Sequence, residues 1–103
     1  MRKNFRTYEL AVQFYHNLVA LPCPAHLSDQ LARAASSVAL NLAEGSGRQS
    51  RKDQLRFYHI AFGSFRESQA ALDLMATAPQ QTLELADKLG ANLYCLIKSL
   101  TRG

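Results

Sequence analysis

Tryptophan is missing from this sequence, and proline, glycine and cysteine are few: three, five and two residues in 103. The two cysteines, Cys23 and Cys95, lie far apart and in no C-x-x-C spacing. They cannot form the disulfide framework of a small secreted domain and read as free thiols in a reducing cytosol. Sparse proline and glycine exclude collagen-like and low-complexity classes and leave few places where a helix must stop. No stretch approaches the ~18 consecutive apolar residues of a membrane span, and Glu9, Gln13, His16 and Asn17 interrupt the segment that most resembles a signal-peptide core. Catalytic motifs are lacking as well: there is no G-x-G-x-x-G, Walker loop or nucleophile elbow. His16, His26 and His59 fall on separate segments with neither H-x-x-x-H nor Glu-x-x-His spacing. The chain therefore reads as one soluble, cytoplasmic, non-enzymatic domain, residues 1–103, needing no metal or cofactor and having no membrane partner.

What is present is helical periodicity, with no strand signal against it. A first helix is predicted over about Thr7–Ala20, with Tyr8, Val12, Tyr15 and Val19 on one stripe and Leu10, Phe14 and Leu21 on its neighbour; so wide an apolar face needs two partners. Pro22 and Pro24 then break the chain. A second helix, from Pro24 or Ala25 to Glu44, carries Leu27, Leu31, Ala35, Val38 and Leu42 at seam spacing. A stripe of small residues, Ala32, Ser36, Ala39 and Ala43, would let a neighbour approach closely, although the helix propensity of alanine explains it more simply, and Gly45-Ser46-Gly47 should end this helix. Ser50-Arg51-Lys52-Asp53 is a capping signal for a third helix running to about Thr77, with Leu55, Tyr58, Phe62, Phe65, Leu72 and Ala76 as its seam and Gln69 as a polar interruption. Gly63, costing about 1 kcal/mol in mid-helix, is explained either by close packing at Gly63-Ser64 or by simple tolerance. After Pro79, Thr82–Leu100 forms a fourth helix, with Leu83, Ala86, Leu89 or Gly90, Leu93, Leu96 or Ile97, and Leu100 in register. Short connections between long helices predict an all-α, antiparallel up-down-up-down four-helix bundle.

Charge is unevenly placed. Residues 1–66 hold nine Lys/Arg against four acids, a balance of +5, and the remainder balances to −1. Two basic clusters, Arg2, Lys3 and Arg6, and Arg48, Arg51, Lys52 and Arg56, sit near helix starts and are the candidate phosphate contacts. Gly45-Ser46-Gly47-Arg48, ahead of the third helix, also has the composition of a phosphate cradle, although a capped turn explains the same residues. Tyr58 and Phe57 fit core or interface packing better than base stacking. A polar constellation, Ser36, Ser37, Asn41 and Glu44 against Ser64, Glu67 and Gln69, is expected to face across the second and third helices, with Arg33 or Arg66 neutralising Glu44 or Glu67.

These residues carry a resemblance. Arg33-Ala34-Ala35-Ser36-Ser37, then Asn41-Leu42-Ala43-Glu44-Gly45-Ser46-Gly47-Arg48, then Phe57-x-x-Ile60-Ala61-x-Gly63-Ser64-x-x-Glu67 resemble the bacterial four-helix family of ribosomal-RNA intervening-sequence proteins, itself similar to the accessory variability proteins of diversity-generating retroelements. The resemblance implies a homopentamer of four-helix protomers and no catalytic activity. For the retroelement branch it also implies basic surfaces that bind nucleic acid and a reverse transcriptase. It marks Arg33, Ser37, Asn41, Glu44, Gly45, Gly47, Arg48, Gly63, Ser64 and Glu67 as a signature of structural role. Leu42 stands where isoleucine is usual, and Gln69 where a second glutamate often follows Glu67. Two expectations follow: an oligomer that binds RNA through its basic clusters, or a protein-interaction module whose basic clusters are merely solvated.

Overall fold

Four helices carry the chain: α1 (Lys3–Val19), α2 (Ala25–Ser46), α3 (Arg51–Asp73) and α4 (Gln80–Thr101). The computed structural model describes residues 3–75 and 78–101, with the side chain of Lys3 left out. Among the described residues there is no strand, and no helix is long and apolar enough to cross a membrane.

Each helix buries one stripe into a shared core. From α1 come Leu10, Phe14 and Leu18; from α2 Leu27, Leu31, Ala35, Val38 and Leu42; from α3 Tyr58 and Phe65; from α4 Leu89, Leu93 and Leu96. The α2 stripe is the one its spacing predicts. In the centre the rings of Phe14 and Phe65 lie 5.7 Å apart and tilted, a favourable aromatic geometry. Packing is cyclic: α2 lies against α1 and α3, and α4 against α1 and α3.

Helix ends depart from expectation for local reasons. Helix α1 starts at Lys3 rather than Thr7, and the added turn brings Asn4 to the Tyr58 hydroxyl. Helix α2 continues through Gly45 and Ser46, and its cap, Gly47, has φ −89°, so no left-handed glycine ends it. Ser50 caps α3 as expected, its Oγ accepting from the Asp53 N–H at 3.1 Å. The Asp53 carboxylate instead binds Arg56, so the reciprocal half of a capping box is absent. Helix α3 closes at Asp73, ahead of the expected end near Thr77, because the Leu74 and Met75 amides fold back onto Ala70, Ala71 and Leu72. Ala76 and Thr77 lie outside the described residues.

Contacts between helices run in a consistent register. Between α2 and α3, Gly45 meets Tyr58, Ser37 meets Ser64, and Gln30 meets Glu67. Between α3 and α4, Phe65 meets Gly90, while His59 and Phe62 share a cleft with Tyr94, Ile97 and Lys98. At the far end Thr82 Oγ1 donates to Asn17 Oδ1 at 2.5 Å, joining the start of α4 to the end of α1. The protein is 41 Å long and about 21 by 18 Å across.

Candidate nucleic-acid interface

Arg6 of the first basic cluster and the four residues of the second, some forty residues on in sequence, occupy one end of the protein. Tyr58 is the link, since its hydroxyl bonds Asn4 of α1 while its ring lies against Gly45 of α2. Burial raises the Tyr58 pKa, and the Asn4 hydrogen bond offsets part of that rise. The last turns of α4 reach the same end beside His59, bringing Lys98 with them.

Charge is thereby polarised along the long axis. The end built from residues 4–10, 36–62 and 91–101 holds Arg6, Arg48, Arg51, Lys52, Arg56 and Lys98 against Glu9, Glu44 and Asp53, a net +3. The other end, from residues 11–35, 63–75 and 78–90, holds Arg33, Arg66 and Lys88 against Asp29, Glu67, Asp73, Glu84 and Asp87, a net −2. The tips of the bundle, up to 41 Å apart, are separated by several of the ~8–10 Å Debye lengths of physiological salt.

The second basic cluster divides in two. Arg48 binds Glu44 at 2.6 Å and lies 3.7 Å from Asp53; Arg56 binds Asp53 at 3.1 Å. Their guanidinium carbons sit 4.7 and 4.3 Å from the Phe57 ring centroid, a double cation–π contact. Arg48 Nε is buried without a hydrogen-bond partner. These two arginines hold the α2–α3 corner together. Arg51 and Lys52 are exposed and form no ion pair among the described residues, as does Arg6 on α1, so these three present unneutralised charge. Arg2 lies outside the described residues.

Several expectations are corrected. The Gly45–Arg48 segment is no phosphate cradle: its amides are spent inside α2 and its cap, Gly47 N–H on Glu44 O and Arg48 N–H on Gly45 O. Tyr58, 1% exposed, is core, as expected. The polar constellation forms only in part. Ser37 and Ser64 hydroxyls meet at 2.7 Å, with the Asn41 amide donating to Ser37 Oγ and O. Gln30 donates to Glu67 at 2.6 Å, with Arg33 3.8 Å from the same carboxylate. Glu44 turns away to Arg48, and Ser36 bonds its own helix at Arg33 O. Gln30 was not foreseen; its place one turn before Arg33 was the available signal.

The signature residues thus trace the α2–α3 seam: Gly45 admits Tyr58, the serines admit each other, and Arg33 and Glu67 stand across it further along. A Cβ on Gly45 would stand 2.6 Å from Tyr58 Cε1. Gly63 is different, exposed and with no atom within 4 Å of such a Cβ, so of its two readings simple tolerance holds within the protomer. Gly47 is likewise uncrowded. Close approach comes from Gly45, Ser37 and Ser64 rather than from the Ala32–Ala43 stripe, which stays at or near the surface.

Lys98 and Tyr94 were missed by sequence reasoning, because their half of the chain carries a net negative charge. Tyr94 is 56% exposed, with Lys98 Nζ 5.8 Å from its ring centroid. Among the described residues no group of three His, Cys, Asp or Glu side chains could hold a metal ion.

The chain can be set beside known proteins. A crystal structure of a protein of unknown function from the S23 ribosomal protein family of Bacteroides thetaiotaomicron has the same fold, with a TM-score of 0.64 over 96% of this chain and 94% of that one at 23% identity. No curated protein matches the sequence. The family model for the 23S rRNA-intervening sequence protein matches residues 4–102, the stretch that includes every signature residue. The chain therefore belongs to the 23S rRNA-intervening sequence protein family.

Proposed function

We propose that this protein is a non-enzymatic, cytoplasmic homo-oligomer, a pentamer of antiparallel up-down-up-down bundles, that binds structured RNA on its cationic end. The observation that carries the RNA reading is the axial polarity: six Lys/Arg from three separate chain segments gather at one end, against three carboxylates. Family membership supports the RNA class of partner. The bundle topology is supported by the paired positions on α2 and α3, which descend on one helix as they ascend on the other.

Self-association is supported by α1. Its inner stripe of Leu10, Phe14 and Leu18 fills the core, while Tyr8 and Val19 are exposed and Val12 and Tyr15 half-buried. With Phe5, 52% exposed, these residues sit at positions 5, 8, 12, 15 and 19, the three-and-four spacing of a helix–helix seam. This is the second apolar stripe that the width of α1 required, and a second copy is the occupant proposed for it.

RNA affinity measured by gel shift across a salt series tests the reading. If the four exposed cations Arg6, Arg51, Lys52 and Lys98 each neutralise one phosphate, Kd weakens roughly 50- to 150-fold between 50 and 200 mM salt per protomer engaged. No binding at low salt would leave the protein-interaction reading in its place.

A further inference from the structure

At the cationic end, α3 and α4 border an open cleft of about 210 Å³ lined by His59, Phe62, Tyr94, Ile97, Lys98 and Thr101. Its composition differs from the rest of the surface. Phe62 and Ile97 are half-buried and form an apolar floor; Tyr94 stands beside them more than half exposed, with Lys98 over its ring. Burying an aromatic ring lowers the free energy, so a helical tyrosine held this open beside apolar neighbours is a flat surface awaiting a flat partner. The cleft is smaller than the ~300 Å³ at which pockets begin to enclose a whole small-molecule ligand. One heterocyclic base of a longer chain is of the right scale.

We infer that this cleft receives an unpaired nucleotide of single-stranded RNA, its base stacked on Tyr94 and its phosphate paired with Lys98. The inference rests on the RNA-binding reading and narrows its ligand. A base inside an A-form duplex cannot reach such a surface, whereas loops and single strands offer free π-faces. Stacking on an aromatic side chain tolerates any base, and an ammonium one helical turn along suits the adjoining backbone charge. Arg51 and Lys52 contribute field at the same end without touching the base.

Titration with an oligo(U) and with a blunt RNA duplex, on the whole oligomeric protein, tests this. Because the chain has no tryptophan, its emission comes from tyrosine. Base stacking on Tyr94 quenches that emission with oligo(U), and the duplex leaves it unchanged. Tyr94→Leu keeps the apolar bulk without the ring and weakens oligo(U) binding roughly 5- to 150-fold, while duplex binding holds; Tyr94→Phe restores the affinity. Equal oligo(U) affinity in wild type and Tyr94→Leu overturns the base site and leaves RNA binding standing. A smaller native mass for Tyr94→Leu also overturns it, since the cleft would then belong to a second copy. Failure of both ligands to bind at low salt overturns the parent reading and this one together.

Discussion

Alanine at position 45 probes the contact on which the α2–α3 seam depends. In Gly45→Ala the new methyl would lie 2.6 and 2.9 Å from two Tyr58 ring carbons and 3.1 Å from Phe57 Cβ. Ordinary carbon contacts are about 3.5–4.0 Å, so Tyr58 must retreat by close to an ångström. It has little room, being 1% exposed in the core and tied to Asn4 at its hydroxyl. Overpacking of this kind costs about 1–3 kcal/mol. Helix propensity returns less than the ~1 kcal/mol of a mid-helix site, since Gly45 is the penultimate residue of α2. The net loss is about 1–2 kcal/mol, a fall in Tm of roughly 5–15 °C for a domain of this size. Gly63→Ala is the internal control: mid-helix, with nothing within 4 Å, it gains about 0.5–1 kcal/mol. Both are read by far-UV circular dichroism on heating at one fixed protein concentration, because the proposed assembly would make Tm concentration-dependent. Wild-type stability in Gly45→Ala would refute the packing argument, and a loss in Gly63→Ala would refute the open face.

Other consequences follow from particular contacts. Ser50→Ala removes the α3 cap and costs about 1 kcal/mol in urea unfolding; an unchanged midpoint would mean that water caps the helix equally well. Tyr58 has a raised folded pKa, so its contribution is fully present below its unfolded value of 10.0 and is lost as pH rises through the folded value. Stability therefore falls in that alkaline window in the wild type and falls less in Tyr58→Phe; identical pH profiles would refute the assignment. Phe5→Glu with Tyr8→Glu places charge on the exposed residues of the outward stripe of α1, and native mass spectrometry should then find folded monomers. Wild-type mass in that variant would move the self-association surface elsewhere.

The core of α2 was legible because Leu27, Leu31, Ala35, Val38 and Leu42 obey one period and face one core, all of them buried. The double face of α1 was legible for the same reason, since an apolar width beyond one partner shows in spacing alone. The glycines were not. Gly45 and Gly63 look alike in a helical sequence, and which one is crowded depends on where Tyr58 lies across the seam. Nor was the grouping of charge, because Lys98 belongs to the acidic half of the sequence and to the basic end of the fold. Pairing within the corner was open to local reading: Glu44 and Arg48 stand at i,i+4 and Asp53 and Arg56 at i,i+3, spacings at which helical ion pairs form. That pairing turns Arg48 and Arg56 from free cations into struts.

Position, rather than total charge, is the central claim, and two matched double reversals measure it. Arg51→Glu/Lys52→Glu and Arg66→Glu/Lys88→Glu change net charge by the same amount in opposite halves of the bundle, on exposed residues with no ion pair among the described residues. In gel shifts with one structured RNA at one low salt concentration, the first variant loses most of its affinity and the second stays close to wild type. Equal losses in both would mean that charge acts without regard to place, contradicting a cationic end as the site.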